Sequence, residues 1–489
     1  MRNLLASFLA VCLSSLVLTD CSKAHSAAPE LEIASCKIEG IDVAAECGRL
    51  YVFENRKARS GRKIPIEFVR VRATGENPAP DAVFELAGGP GENATQNAAK
   101  AIAASKTLQQ RDLVIVDQRG TGKSNPLDCV KYDLSARPEA FAEMFEQRFF
   151  DVDRFRACKD RLSQVADLRY YTTSLIADDI DDLRAALGYD KMTLEGGSYG
   201  TTLALEIIRR HGDHVRAAVL LGVIPPEINQ TQTLARDTQD KLEKLFAACE
   251  GDGACSTAFP TFRADFQEVL EKVRAEPVNV VLPHALTHEP VEVRVHYSEL
   301  VTGLRYALYS TRVSAGLPLA VEEAKAGDYR RISQFLPQVL YLIADFGSEG
   351  MWASVRCAEE FPYLDVDRAR ADAEGTMLGT ERIDSGEAIC SFWPRGAIPD
   401  NFHEPVRSDV PVLLLAGEVD AATPPWMGEL AVKTLKNGRL VIAANSSHWE
   451  LPGNDCLDGI VAKFIDTASA ADIDASCAAE IKRPPFILQ

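Results

Sequence analysis

From about residue 67 the chain alternates short apolar runs with stretches in which apolar residues recur every three to four positions. Residues 82–86 (Ala-Val-Phe-Glu-Leu) and 112–116 (Asp-Leu-Val-Ile-Val) are short and nearly continuous in apolar side chains, which predicts buried strands. Between 174 and 187, Ile176, Ile180, Leu183 and Leu187 share one face at helical spacing and predict an amphipathic helix. A strand at 191–195, a helix at 201–210 and a strand at 217–221 follow. Such alternation predicts an α/β fold: a mostly parallel central sheet with helices on both faces.

The pattern changes after Pro225-Pro226. From about 227 to 400 the helical period dominates, most clearly at 233–249, 262–275, 299–309 and 330–344, with a β-rich patch at 278–296. Alternation then returns, with strands at 410–415 and 440–443 and helices at 425–435 and 458–466. The predicted organisation is one α/β core in two parts, 27–226 and 401–489, interrupted by a mainly helical insertion at 227–400.

Composition narrows the class. The 489 residues are 46% hydrophobic and 25% charged, which excludes a disordered or fibrous protein. A net charge of −18 repels a phosphate backbone, so nucleic acid is not an expected partner. Residues 1–26 read as an export signal. Arg2 is followed by an apolar run from Leu4 to Leu18, too short for the ~20 residues that span a bilayer. Two ends of the signal stay open. Leu18-Thr19-Asp20-Cys21 resembles a lipoprotein box, which would place a lipid anchor on Cys21, and Ala24-His25-Ser26 suits ordinary signal peptidase.

Of 12 cysteines, Cys12 and Cys21 fall in or beside this signal. The other ten form sequence-near couples: Cys36 and Cys47, Cys129 and Cys158, Cys249 and Cys255, Cys357 and Cys390, Cys456 and Cys477. In an oxidising compartment, proximity predicts five local disulfides. No CxxC occurs, and no cysteine couple sits beside a histidine couple at zinc spacing, so no metal is expected.

The candidate chemistry centres on Gly196-Gly197-Ser198-Tyr199-Gly200, a G-x-S-x-G between a predicted strand and a predicted helix. Glycines let the chain turn sharply, and the helix N-terminus points free N–H groups at a nucleophilic Ser198. A serine needs a base. Of eight histidines only His448 follows a late strand, in Asn445-Ser446-Ser447-His448-Trp449. Asp420 lies in the loop after the strand before that one and is the candidate acid, with Glu418 as its rival. The order Ser198, Asp420, His448 is that of a hydrolase triad. Ala87-Gly88-Gly89-Pro90-Gly91 follows the 82–86 strand, and the N–H groups of Gly89 and Tyr199 are the candidate oxyanion donors. Gly120-Thr121-Gly122-Lys123-Ser124 looks like the end of a phosphate-binding loop, but Asp117 stands where that loop requires glycine, so ATP is not expected.

Together these residues resemble the α/β-hydrolase superfamily. More narrowly they resemble its S33 serine peptidases, the proline iminopeptidase and tripeptidyl aminopeptidase branch. The resemblance rests on Gly88-Gly89-Pro90-Gly91, on Asp117-Gln118-Arg119-Gly120-Thr121-Gly122-Lys123-Ser124 and on Gly197-Ser198-Tyr199-Gly200-Thr201. A late segment, Gly417 to Pro424, His448, Cys456 and Cys477, is similar to the C-terminal region of tripeptidyl aminopeptidase-like proteins. The resemblance implies an α/β-hydrolase fold with a helical cap at 227–400. Ser354-Val355-Arg356-Cys357-Ala358-Glu359-Glu360 is similar to a recurrent family stretch. By analogy with the iminopeptidases, Glu359 and Glu360 are candidates for binding a substrate's α-amino group. Two departures, Ala87 where the family's turn begins with histidine and Trp449 where glycine often follows the base, bear on substrate shape. The expectation is an exported serine aminopeptidase acting on peptides with a free N-terminus, without metal or organic cofactor. The same machinery would suit a carboxylic-ester hydrolase. A non-catalytic binding protein is the third class, disfavoured because candidates for all three triad members are present.

Overall fold

The computed structural model describes residues 30–129, 137–146, 150–284, 286–337, 339 and 347–489. The expected signal segment, with Cys12 and Cys21, lies outside them. In chain order the strands are β1 (Glu30–Ile38), β2 (Ile41–Phe53), β3 (Lys63–Val71), β4 (Ala82–Leu86), β5 (Asp112–Val116), β6 (Met192–Gly197), β7 (Val215–Leu221), β8 (Val278–Pro283), β9 (Pro290–Val295), β10 (Val412–Gly417) and β11 (Gly438–Ala443). Nine of them form one sheet in the order β1-β2-β3-β5-β4-β6-β7-β10-β11, and β8 and β9 pair separately. Every pairing from β5 across to β11 is parallel, whereas β1, β2 and β3 are antiparallel to their neighbours.

The apolar runs form strands because both faces of the sheet are covered. Along β5 the side chains divide by pleat. Leu113 and Ile115 join Val83, Val219, Leu415 and Phe464 on one face, and Val114 and Val116 join Phe84, Leu194, Ile180 and Leu203 on the other. Fully burying such a side chain contributes about 1.5–3 kcal/mol. Helices Thr173–Ala186 and Tyr199–His211 cover the second face, and Asp455–Thr467 covers the first.

The β1–β2 hairpin is absent from the sequence-based expectation. β1 is exposed or half-buried throughout, so its composition carries no buried-strand signal. It pairs with β2 by Ala34 against Cys47 and Cys36 against Ala45, and Cys36–Cys47 joins the two strands. The other expected bridges also form: Cys129–Cys158, Cys249–Cys255, Cys357–Cys390 and Cys456–Cys477. No described helix is long and apolar enough to cross a membrane.

Between β7 and β10 lies the mainly helical insertion. It packs as two bodies. Helices Gln230–Gly251, Phe262–Ala275 and Tyr297–Ala307 build an apolar cluster of their own with β8 and β9. Phe141, Met144 and Phe145 join that cluster from helix Pro138–Glu146, which precedes the elbow in sequence. The later part, with Met351, Val355, Cys357, Ile389 and Trp393, packs instead on the sheet-covering cluster that holds Phe84 and Leu194. Of the helix expected at 330–344, Arg330–Ser333 is helical and much of the remainder lies outside the described residues.

Candidate active site

The exchange of β4 and β5 in the sheet order brings the glycine turn to the elbow. β4 pairs with β6, setting Leu86 opposite Gly196. Ser198 follows β6 with φ 53° and ψ −123°, a conformation that costs a non-glycine residue about 1–3 kcal/mol and persists only when its surroundings hold it. They do so by close approach: a Cβ on Gly200 would lie 2.2 Å from the Leu86 carbonyl oxygen, and one on Gly196 2.5 Å from that of Gly200. The Ser198 N–H donates to the Leu221 carbonyl at 2.9 Å. Tyr199 opens helix Tyr199–His211, so its N–H lies in the first turn, where no intrahelical acceptor is available.

Asp420 and His448 come from the loops after β10 and β11. His448 Nδ1 is 2.8 Å from Asp420 Oδ2. Asp420 Oδ1 accepts the N–H groups of Ala422 and Thr423 at 2.7 and 2.9 Å, and the Thr423 hydroxyl donates to Oδ2 at 2.6 Å. Burial alone would raise this carboxyl. The charge and hydrogen bond of His448, with the Thr423 donors, outweigh it and hold Asp420 below the usual carboxylate range. Glu418 is exposed and accepts the Asn445 N–H at 2.9 Å, so Asp420 is the carboxylate that reaches the histidine. Gly222 completes the juxtaposition. It follows Leu221, the acceptor of the Ser198 N–H, and a Cβ there would lie 3.0 Å from the His448 ring. With Nδ1 held by a carboxylate, Nε2 is left to accept a proton from a hydroxyl.

The turn after β4 abuts the elbow at Gly88, whose added Cβ would stand 3.4 Å from Ser198 Cβ. Gly89 follows at φ 105°. Glu92 lies beside the turn and was not read from the sequence. Its carboxylate accepts the Gly88 N–H at 3.0 Å, and burial pushes its pKa up. The Asp117 motif binds this turn from behind. Asp117 accepts N–H groups of Ala94, Thr95 and Lys123 at 2.9–3.0 Å, and Gln118 Nε2 donates to the Ala87 carbonyl at 3.0 Å. Arg119, fully buried, is forked onto Asp179 at 2.6 and 2.7 Å. The segment that imitates a phosphate loop is thus a brace for the glycine turn.

Glu359 and Glu360 end helix Glu349–Glu359 and line a cleft with Tyr199, Ile224, Gln230 and Arg356. Glu359 accepts the Thr173 N–H and hydroxyl, each at 2.6 Å, and the same hydroxyl is 2.7 Å from the Tyr199 hydroxyl. Its hydrogen-bond partners are all neutral, and burial raises its pKa to about 8. Glu360 is paired with Arg356 and accepts from Thr231. The two carboxylates therefore differ: Glu360 already has a cation.

An aromatic wall stands beside the base. The Tyr309 ring is 5.0 Å from that of His448, and Trp449 packs on Tyr306 and Tyr309 at 6.2 and 5.6 Å. Glu450 ties this loop to the insertion, accepting from Ser447 N–H and from Ser310 and Thr311. Asp181, His211 and His214 offer ligand atoms within 4.8 Å of one another. Arg184 donates to Asp181 at 2.8 Å and lies 3.2 Å from His214 Nδ1, so guanidinium already occupies the ground a metal ion would need.

Residues 86–257 match the alpha/beta hydrolase fold family and residues 376–477 the TAP-like protein family. Fold, elbow and these matches define the class, an α/β hydrolase. The chain is similar, at 26% identity over 95% of both chains, to the serine protease Hip1 of Mycobacterium tuberculosis. It is 25% identical to a tripeptidyl aminopeptidase of Streptomyces coelicolor over 88% of this chain and 83% of that one. Carboxylesterase B of Mycobacterium tuberculosis is likewise 25% identical, over 92% and 90%. Within the class, the chain belongs to the S33-like α/β hydrolases.

Proposed function

We propose that the protein is an exported serine aminopeptidase that removes N-terminal residues or short peptides. Ser198 attacks the scissile carbonyl while His448 takes its proton and later delivers it to the leaving amine. Asp420 holds the imidazole and balances its charge, and water resolves the acyl-enzyme. The N–H groups of Tyr199 and Gly89 are the assigned oxyanion donors; losing one such donor typically costs about 3–4 kcal/mol.

One observation carries the choice of substrate. Glu359 is a buried carboxylate bonded only to neutral donors, and a single hydroxyl separates it from Tyr199, the neighbour of Ser198. A substrate ammonium supplies the missing cation, and a fixed distance from that anchor to Ser198 makes an exopeptidase. The likeness to a serine protease and a tripeptidyl aminopeptidase supports this reading. Export is supported by the five disulfides, which persist in oxidising compartments. Mass spectrometry of the mature N-terminus distinguishes lipidated Cys21 from cleavage after Ser26.

The test is a panel of free-amine aminoacyl, tripeptidyl, N-blocked and short-chain ester substrates. Free-amine groups should be preferred, Ser198→Ala should abolish turnover of all, and Glu359→Gln should depress only the free-amine members. Equal turnover of N-blocked and free-amine peptides overturns the anchor. The second reading, a carboxylic-ester hydrolase, is favoured by the likeness to carboxylesterase B and predicts that short esters outpace every peptide.

A further inference from the structure

We infer that Trp449, with Tyr306 and Tyr309 of the insertion, forms the subsite for the residue just past the scissile bond and selects an aromatic or large apolar side chain there. This deepens the aminopeptidase reading and rests on the roles it gives Ser198 and His448.

Of the four tryptophans, Trp449 alone is exposed, at 45%, and it directly follows His448 in the chain. An exposed tryptophan leaves a large apolar surface in water, and such a surface beside a reacting centre suits a ligand side chain. Its position is fixed by the insertion. The Trp449 N–H donates to the Tyr309 carbonyl at 2.9 Å. Its ring lies nearly parallel to that of Tyr306, at 6.2 Å and 27°, and edge-on to that of Tyr309, at 5.6 Å and 82°. Tyr309 is 6% exposed, and its hydroxyl is taken by Arg305, so what it offers the site is its ring, 5.0 Å from the imidazole. Glu450, the next residue, accepts from the Ser310 hydroxyl and the Thr311 N–H at 2.6 Å each. A wall held in this way has little ordering left to lose when a substrate arrives.

The chemistry fixes which part of the substrate meets the wall. His448 delivers its proton to the leaving amine, so that nitrogen comes within about 3 Å of Nε2. Two further bonds of about 1.5 Å each lead to the first side-chain carbon of the leaving residue, no more than about 6 Å from the base. The Tyr309 ring covers this distance, and Trp449 extends the apolar surface by one more ring. The acyl side is supported elsewhere. The helix of Glu359 belongs to the later body of the insertion, packed on the sheet, whereas Tyr306 and Tyr309 belong to the first. The two bodies divide the substrate, one taking the ammonium ahead of the scissile bond and the other the side chain beyond it.

Partitioning of the acyl-enzyme reads this subsite. The protein is acylated with p-nitrophenyl acetate or with alanine p-nitrophenyl ester, and glycinamide, leucinamide and phenylalaninamide compete with water for the acyl group. The amine nitrogen attacks the acyl carbonyl and gives a proton to His448, which passes it to the Ser198 oxygen as the ester bond breaks. This is amine departure in reverse, so the amide occupies the place of the leaving residue. Per unit of free base, phenylalaninamide should capture the acyl group about tenfold or more efficiently than glycinamide, with leucinamide between them. Trp449→Ala should reduce that ratio to about threefold or less, and Trp449→Phe should keep more of it. The backbone N–H that holds the loop persists in both variants, and an unchanged melting temperature checks the fold. Tyr306→Ala, at the other ring of the stack, should lower the ratio in the same direction. Capture of all three amides within twofold overturns the inference, as does a ratio that survives both Trp449→Ala and Tyr306→Ala. A Trp449→Ala protein that changes its choice of acyl group while its amide ratio holds also overturns it, by assigning the wall to the acyl side. Preference for free-amine over N-blocked peptides is a separate measurement: its failure removes the aminopeptidase reading and leaves the amide ratio standing. A protein that neither ester acylates loses the catalytic reading, and the inference with it.

Discussion

A carboxylate at the carboxyl end of the sheet and one on the insertion are buried to the same depth. Asp420 and Glu359 are both 3% exposed. Their behaviour is opposite. Burial would raise both, but Asp420 faces the charge of His448 and is lowered, whereas Glu359 receives only the neutral donors of Thr173 and rises to about 8. Depth does not decide the charge of a buried acid; its partner does. In the sheet the partner is built into the chain. On the insertion the bonded partners are neutral. Under the proposed function the cation is the substrate's ammonium, so Asp420 is assigned to machinery and Glu359 to recognition.

The strongest way to break the contrast is to remove the charge of Asp420. Asp420→Asn should lower kcat by about 10⁴ on every substrate, peptide or ester, because the imidazole loses its tautomer and its counter-charge. Glu359→Gln should act selectively, lowering kcat/KM by about tenfold to a hundredfold for free-amine peptides and leaving short esters unchanged. A loss shared equally by esters would assign Glu359 to the catalytic machinery and erase the distinction. Thr423→Val removes the hydroxyl shared by Asp420 Oδ2 and His448 Nδ1, with the latter at 3.1 Å. Its expected effect is about tenfold on kcat with KM held.

The smallest effect concerns stability. Glu359 has a folded pKa of about 8 against an ordinary 4.5, so the folded state binds its proton more tightly. That contribution is fully present below pH 4.5 and disappears as pH rises through about 8. Glu85 and Glu195, raised to about 8 and about 7 by burial, act in the same direction. Scanning calorimetry between pH 5 and 9 should show the melting temperature falling by about 3 °C or more, and less steeply in Glu359→Gln. Asp420 has the opposite sign: its contribution disappears only in acid, as pH falls through its lowered pKa.

The same division governs what could be read in the sequence. Ser198 and Asp420 each follow a largely buried strand, and His448 follows the apolar run Leu440–Ala443, so a local signal in the sequence points to all three. The structure chose between Asp420 and Glu418 by direction alone, since the first turns inward to His448 and the second outward to Asn445. Thr423 and Gly222 escaped notice because a threonine and a glycine in loops look ordinary until a histidine from another strand arrives. The β1–β2 hairpin was missed for the converse reason: an edge strand with no fully buried position shows no apolar run.

The disulfides carry one more consequence. Their sequence separations are 11, 29, 6, 33 and 21 residues, and no bridge spans another. Beyond Cys21, a chain oxidised from its amino end onward meets each correct partner as the next cysteine to emerge. Correct pairing is then a matter of timing: threading order alone writes all five bonds, and reshuffling is needed only when the chain is released faster than it is oxidised.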